Sequence, residues 1–341
     1  MSELRWDPLG GEWALIATER GLRPSDFAPG PRPLSDQRAP CPFCLVLAGR
    51  GPATQIAERR TRGDRVLVVA NRFPALSVEA SGERRAVGPY DLIDGVGAHE
   101  VVIETAGHDT SFASLPVEHL AEVLLAWRDR VGDLVRDRRI HHVQIFKNDG
   151  PRAGATLAHA HSQVLAAPIR PPRVARRMEL ASAHWQRKER CLLCDIVHHE
   201  THDKARVVEV SGGVDAGFVA WCPYASRHPF EVWIAPRRHS PDFAALGADE
   251  ARELARILKG VLRGLDAALM GADVNLLLSL APSAKSFTRE REGLEHAELW
   301  WHWHLELVPR LTSYGGYELA TGVVINPTAP EDAAEHLRSL A

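Results

Sequence analysis

The feature that most restricts how this chain can fold is that it is written twice. The stretch from His99 to Leu115, HEVVIETAGHDTSFASL, lies over Phe230 to Leu246, FEVWIAPRRHSPDFAAL, with His108 on His239 and Phe112 on Phe243. A segment with helical spacing follows each: Val117, Leu120, Leu124, Trp127, Val131 and Leu134 in the first, Leu254, Leu258, Val261, Leu265 and Ala268 in the second. Each therefore has one core-facing stripe. Behind each helix comes a β-like run, HHVQIFKN or VNLLLSLAP, and then a His-x-His, His159 with His161 and His302 with His304. The order C-x-x-C, strand, histidine, helix, strand, His-x-His thus occurs two times. It predicts an α+β protein of two duplicated domains, each an antiparallel sheet with a helix packed on one face. At 341 residues the chain also exceeds what one core usually covers. The proline- and arginine-rich segment from Pro168 to Arg190 reads as a connector, which puts the boundary near residue 175 and gives domains of 1–175 and 176–341. The first forty residues, with six prolines, read as an arm rather than core.

Composition narrows the partners. A net charge of -3 argues against a generic nucleic-acid or anionic-membrane binder, so an anionic ligand has to be met locally. No apolar run is long enough to span a bilayer and the N-terminus lacks a secretory pattern, so the expectation is a cytoplasmic protein with no membrane partner. Five cysteines include two C-x-x-C pairs, which in such a chain suggest metal or redox chemistry over disulfides. A nucleic-acid-binding zinc ribbon would want basic and exposed aromatic residues around those pairs, and CPFCLVLAG and CLLCDIVHHE lack them.

A structural zinc ion needs four ligands drawn from wherever the fold brings them. Each half offers such a set: Cys41, Cys44, His108 and His159 in the first, Cys191, Cys194, His239 and His302 in the second. In either half alone the cysteines also read as small buried residues. Recurrence in the same order favours metal, although 64 residues separate Cys44 from His108 and 45 separate Cys194 from His239.

TLAHAHSQVLA, from Thr156, alternates so that His159, His161 and Gln163 share one face of an extended strand. If His159 holds zinc, it fixes the strand and leaves the His161 imidazole oriented but free to attack phosphorus. A hydrogen bond from the other ring nitrogen to a backbone carbonyl would set the tautomer. Gln163 would then donate to a phosphate oxygen. FKNDGPRAGAT, just upstream, places Asn148, two glycines and Thr156 where phosphates are received, while Lys147 reads as a solvated surface charge. In the second half Glu306 stands at the place of Gln163, so His304 reads as non-nucleophilic.

These residues resemble the galactose-1-phosphate uridylyltransferase family, a duplicated branch of the histidine-triad superfamily, over almost the whole chain. LRWDPLGGEWALIATERGLRP resembles the family's opening, where Arg23 would contact the nucleotide phosphate with Arg20 nearby. CPFC resembles its zinc pair, NRFPAL from Asn71 its nucleoside-pocket segment, and HAHSQ its active-site strand. The resemblance implies a nucleotidylated His161, zinc ligands His108 and His159, phosphate contacts from Gln163, Asn148 and Thr156, and a hexose contact from Glu318. It implies ping-pong transfer from UDP-glucose to galactose-1-phosphate in a homodimer. Two departures bear on substrate and metal. Ser162 stands where the best-known bacterial uridylyltransferases have glycine, and HSQ resembles the plant ADP-glucose phosphorylase branch, so adenylyl transfer from ADP-glucose or a dinucleoside polyphosphate is the alternative. Ser279 replaces a histidine that some members use for a second metal, so a second zinc on the Cys191 set is expected instead.

Overall fold

The structure is a computed structural model that describes residues 2–20, 40–213, 217–283 and 296–340. The first repeat, preceded by the hairpin β1 (Glu3–Asp7) and β2 (Glu12–Ile16), runs through α1 (Pro42–Leu47), β3 (Gln55–Thr61), β4 (Asp64–Ala70), the small hairpin β5 (Arg84–Val87) and β6 (Tyr90–Ile93), β7 (Ala98–Ile103), α2 (Val117–Leu134), β8 (His142–Asp149) and β9 (His161–Ala167). After α3 (Pro172–Lys188) the pattern returns as α4 (Leu192–Asp203), β10 (Val207–Val210), β11 (Phe218–Trp221), β12 (Val232–Pro236), α5 (Ala248–Leu269), β13 (Val274–Ser279), α6 (Ala297–Trp300) and β14 (His304–Pro309). The chain ends with α7 (Gly316–Thr321), β15 (Val324–Asn326) and α8 (Pro330–Ser339).

Among the described residues ten strands form one sheet, in the order β10-β11-β12-β14-β13-β8-β9-β7-β4-β3, and every pairing is antiparallel. The order reads the same from either end once each strand is replaced by its counterpart in the other repeat. The two expected sheets are therefore halves of one, joined where β8 pairs with β13.

Alternation along the strands decides which side chains see which face. Val66, Val68, Val102, Val164 and Ala166 point to one side, as do Leu276, Leu278, Leu305 and Leu307, and there α2 and α5 cover them in a single core that runs through both repeats. Trp127 of α2 is completely buried in it. Leu67, Val69, Val101 and Ile103 point the other way and are closed by Phe43, Val46 and Leu47 of α1. On that second face α4 covers Val219, Trp221, Trp233 and Ala235 in the same manner.

The expectation for the first forty residues is corrected. The N-terminus is not all arm: β1 and β2 form a hairpin whose Ala14 and Ile16 are buried, and β15 adds to β2 in parallel. Its alternating apolar residues supply a buried face that the count of prolines hid. The connector is a helix, α3, because Pro172 can occupy a first-turn position where no N–H is needed. Val174, Met178, Ala181 and Trp185 then form a stripe that packs with Trp300 and Trp301. Residue 175 falls in the first turn of this helix.

Candidate active site

Cys41 stands at the N-terminal end of α1 and Cys44 one turn further, so α1, which packs on β4 and β7, carries both thiols to that face of the sheet. His108 follows β7 and His159 lies two residues before the start of β9. The Cys44 Sγ lies 3.4 Å from His108 Nδ1 and 3.5 Å from His159 Nδ1, and Cys41 Sγ lies 3.7 Å from the latter. A tetrahedral ion with Zn–S of about 2.3 Å and Zn–N of about 2.0 Å has a sulfur–nitrogen edge of about 3.6 Å, so the spacing suits zinc. Metal-bound histidines usually anchor their second nitrogen, and His159 Nε2 does so on the Thr105 carbonyl at 2.9 Å. Cys191, Cys194, His239 and His302 repeat the cluster in the second half, with Cys194 Sγ 3.2 Å from His239 Nδ1 and 3.3 Å from His302 Nδ1. In both clusters the four ligand atoms lie within 4.8 Å of one another.

His161 opens β9 on the α1 face. Its Nδ1 lies 2.9 Å from the His159 carbonyl, which can only accept, so the proton sits on Nδ1 and the lone pair on Nε2. Burial pushes its pKa below the ordinary histidine range, which keeps the ring neutral. The ring is 7% exposed and meets Phe43 edge-on at 5.1 Å. Beside it is a cleft of about 440 Å³, lined by residues 108–112, Lys147 to Pro151 and Ala155 to His161. Asn148 and Thr156 are both on its wall. Gly150 and Gly154, at φ of +93° and +90°, let the loop between them turn back on itself.

Gln163 lies on the same face as His161, as alternation requires. Its Oε1 receives a hydrogen bond from His99 Nε2 at 2.8 Å, while His99 Nδ1 accepts from the Ala75 amide at 3.1 Å, which fixes the ring's tautomer. His99 was not singled out by sequence reasoning. The repeat itself carried the signal, since the first half has histidine where the second has Phe230. Asn71 belongs to the same group: its Oδ1 accepts from the Phe73 amide and its Nδ2 is 3.1 Å from His99 Nε2.

Lys147 corrects its expected place in solvent. It is 3% exposed, donates to Glu104 Oε2 at 2.7 Å and to the His161 carbonyl at 3.1 Å, and lies over the Phe112 ring. Its partner is 43 residues away in sequence, beyond the reach of a local reading. Ser162 faces α2, where its Oγ accepts from Trp127 Nε1 at 2.8 Å. Glu318 is not on the cleft wall; it caps α7 by accepting from the Gly315 amide at 2.9 Å. The backbone of Arg20 ends a short 3-10 helix, its side chain lies outside the described residues, and so does Arg23.

The second His-x-His has different surroundings. His304 is 1% exposed, and Glu306 forms ion pairs with Arg177 of α3 at 2.5 Å and Arg227 at 3.1 Å. Leu9, Ala181, Trp300 and Trp301 close the remaining space to about 10 Å³, too little for a nucleotide. A cavity of about 550 Å³ lies against the N-terminal hairpin, walled by Trp6, Trp221, Tyr224 and Trp233, and holds neither metal-ligand pair nor His-x-His.

The profile of the galactose-1-phosphate uridyl transferase N-terminal domain matches residues 1–171. The chain is 31% identical to ADP-glucose phosphorylase of Arabidopsis thaliana, over 99% of this chain and 93% of that protein. It is 32% identical to galactose-1-phosphate uridylyltransferase of Streptomyces lividans, over 100% of this chain and 87% of that one. The crystal structure of the Arabidopsis thaliana ADP-glucose phosphorylase with bound ADP-glucose superposes with a TM-score of 0.82 at 30% identity, covering 100% of both chains.

Proposed function

This chain belongs to the galactose-1-phosphate uridylyltransferase family and is a nucleotidyltransferase; from that premise we propose that it passes a uridylyl group from UDP-glucose to a hexose-1-phosphate, galactose-1-phosphate first, through His161. The observation that carries the reading is the tautomer of His161: with Nδ1 committed to the His159 carbonyl, the Nε2 lone pair is free at the mouth of a cleft built from backbone amides and small polar side chains.

Nε2 attacks the α-phosphorus, the bond to the bridging oxygen breaks, and glucose-1-phosphate leaves. The ring gains positive charge as its bond to phosphorus forms, and the Nδ1–H···O=C bond to His159 strengthens with it. A phosphate oxygen of the incoming hexose-1-phosphate then attacks the same phosphorus and the P–N bond breaks, restoring neutral His161. Gln163, its oxygen held by His99, has its NH₂ left to donate to a non-bridging oxygen. Asn148, Thr156, Arg20 and Arg23 receive the remaining phosphate charge, and Asn71 belongs to the nucleoside pocket. When bound, zinc would tie α1, the loop after β7 and the start of β9 together through Cys41, Cys44, His108 and His159. Cys191, Cys194, His239 and His302 would hold a second ion with a structural role.

Residues 1–175 bear the chemistry in this reading and 176–341 are a degenerate repeat. Glu318, as hexose contact, would have to reach the cleft from a second protomer, because it is absent from the cleft wall of its own; a homodimer is part of the proposal. A second reading, phosphorolysis of ADP-glucose by the same imidazole, is favoured by the likeness to the Arabidopsis enzyme. Turnover decides between them. UDP-glucose with galactose-1-phosphate should give UDP-galactose; release of ADP from ADP-glucose with phosphate, and none of the former product, would establish the second reading and remove the first.

A further inference from the structure

Strand β13 belongs to the second repeat, yet its first residues hold the loop that walls the first repeat's cleft. β13 runs antiparallel to β8, with Asn275 opposite Asn148 and Val274 opposite Asp149. Asn275 and Asn148 lie on the same face of the sheet as His161, because Val274 and Leu276, which flank Asn275, and Ile145, three positions before Asn148, point into the core beneath α2 and α5.

The Asn275 amide donates to the Ala153 carbonyl at 2.8 Å and to Asn148 Oδ1 at 2.9 Å. The first contact removes the usual ambiguity of an asparagine. A carbonyl can only accept, so the atom that meets Ala153 is nitrogen, and the same nitrogen faces Asn148. Asn148 has to answer with its oxygen. Its NH₂ is thereby turned toward Gly154, 3.4 Å from that residue's carbonyl, on the loop of the cleft. Asp273 secures the same loop from beneath. It accepts from the Arg152 amide at 2.5 Å and packs so closely on Gly150 that a Cβ there would come within 2.0 Å of its carboxylate.

We propose that Asn275 is a positioning residue for nucleotidyl transfer: by holding the oxygen of Asn148, it ensures that the NH₂ of that amide, and not its carbonyl, meets the anionic phosphate. The proposal rests on the reading of residues 148–156 as the phosphate-binding loop. An unconstrained asparagine presents either end, and the wrong end places an oxygen against an oxyanion. Fixing the choice before substrate arrives is preorganisation, and its cost is met in folding. The second repeat, whose own His-x-His is sealed, is then required for chemistry in the first.

Asn275→Leu removes the donor, and Asn275→Asp keeps the side-chain volume but offers only oxygen, which draws the Asn148 NH₂ away from the cleft. Both should lower kcat/KM for the nucleotide sugar about tenfold or more, with Asn275→Asp at least as impaired. Affinity separates positioning from general damage: UMP and AMP should bind the Asn275→Asp protein more weakly, while uridine and adenosine, which lack phosphate, should bind as to the wild type. Combined with Asn148→Ala, Asn275→Asp should cost only what the lost bond to the Ala153 carbonyl adds, so that the two losses fall well short of multiplying. Losses that multiply, an equal weakening of nucleosides and nucleotides, or a wild-type rate in a folded Asn275→Asp protein would overturn the proposal while leaving the loop's role intact. A wild-type rate in Asn148→Ala would instead remove the reading of the loop, and the positioning role with it. If Asn275→Leu does not fold, the isosteric Asn275→Asp carries the comparison.

Discussion

Ser162 sits between the two side chains proposed to do the chemistry, yet it faces the other way. In an extended strand, neighbours point to opposite faces, so placing His161 and Gln163 on the α1 face sends Ser162 into the core beneath α2. Its hydroxyl is occupied there by Trp127. The serine that separates HSQ from the bacterial uridylyltransferase pattern therefore faces away from His161 and Gln163, and in the proposed function the choice between uracil and adenine is made elsewhere. Ser162→Gly should leave the ratio of rates with UDP-glucose and ADP-glucose within about twofold while costing about 1 kcal/mol of stability for the orphaned Trp127 N–H. Steady-state rates and denaturant unfolding check the two halves of that expectation, and a reversed nucleotide preference would contradict it. Only alternation was needed to foresee the direction of Ser162, but its partner in α2 was not visible from sequence. The same holds for Lys147, whose carboxylate partner Glu104 becomes a neighbour only through the pairing of β7, β9 and β8.

At the scale of elements, the two C-x-x-C helices carry alike sets of candidate metal ligands beside different neighbours. The first cluster includes His159, two residues before His161, and with zinc bound it would fix the strand that presents the imidazole. The second includes His302, beside a closed site. Cys41→Ser should therefore remove one zinc per chain, measured by atomic absorption, together with nearly all activity. Cys194→Ser should also remove one zinc and lower the melting temperature, yet leave much of the activity; equal loss of activity in both would contradict the division of labour. These sets were legible because ligand type and order are written locally, twice. The helix α3 was not, because Pro171 and Pro172 are breakers inside an element but acceptable where a helix starts.

Two buried histidines make a further prediction about these elements. Burial pushes the pKa of His142 on β8 and of His228 before β12 down to about 4 in each case. An unfolded chain takes up these protons near pH 6.5, so above that pH the native state carries no penalty. As the pH falls from about 6.5 toward 4, protonation favours the unfolded chain, by up to about 3 kcal/mol for each histidine. Denaturant unfolding of His142→Gln between pH 7 and pH 4.5 should show a shallower decline than the wild type. Parallel declines would mean that His142 titrates normally.

For the whole molecule, the duplication was readable as a repeat but the joining of its halves was not. β8 and β13 contain no feature that says they will pair with each other instead of ending two separate sheets. Because they do pair, the apolar residues under α2 and α5 form one core. A domain built on a single core unfolds as a unit. Leu258→Ala, at a fully buried position of α5, should cost about 2–5 kcal/mol and should lower the exchange protection of amides in β9, in the other repeat, by the same amount as those in β14. Protection lost in β14 alone would show that the repeats unfold independently.

Of the proposed steps, formation of the covalent bond to His161 is the one on which all the others depend. Wild-type and His161→Ala proteins, each loaded with zinc, can be incubated with UDP-glucose and with ADP-glucose and weighed intact. The wild type should gain the mass of one uridylyl group per chain from UDP-glucose, with release of glucose-1-phosphate. His161→Ala should gain nothing and turn over at least about a thousandfold more slowly, with its melting temperature little changed. An adduct that persists in His161→Ala, or turnover by the wild type with no adduct at any time, would contradict the assignment of His161 as the nucleophile.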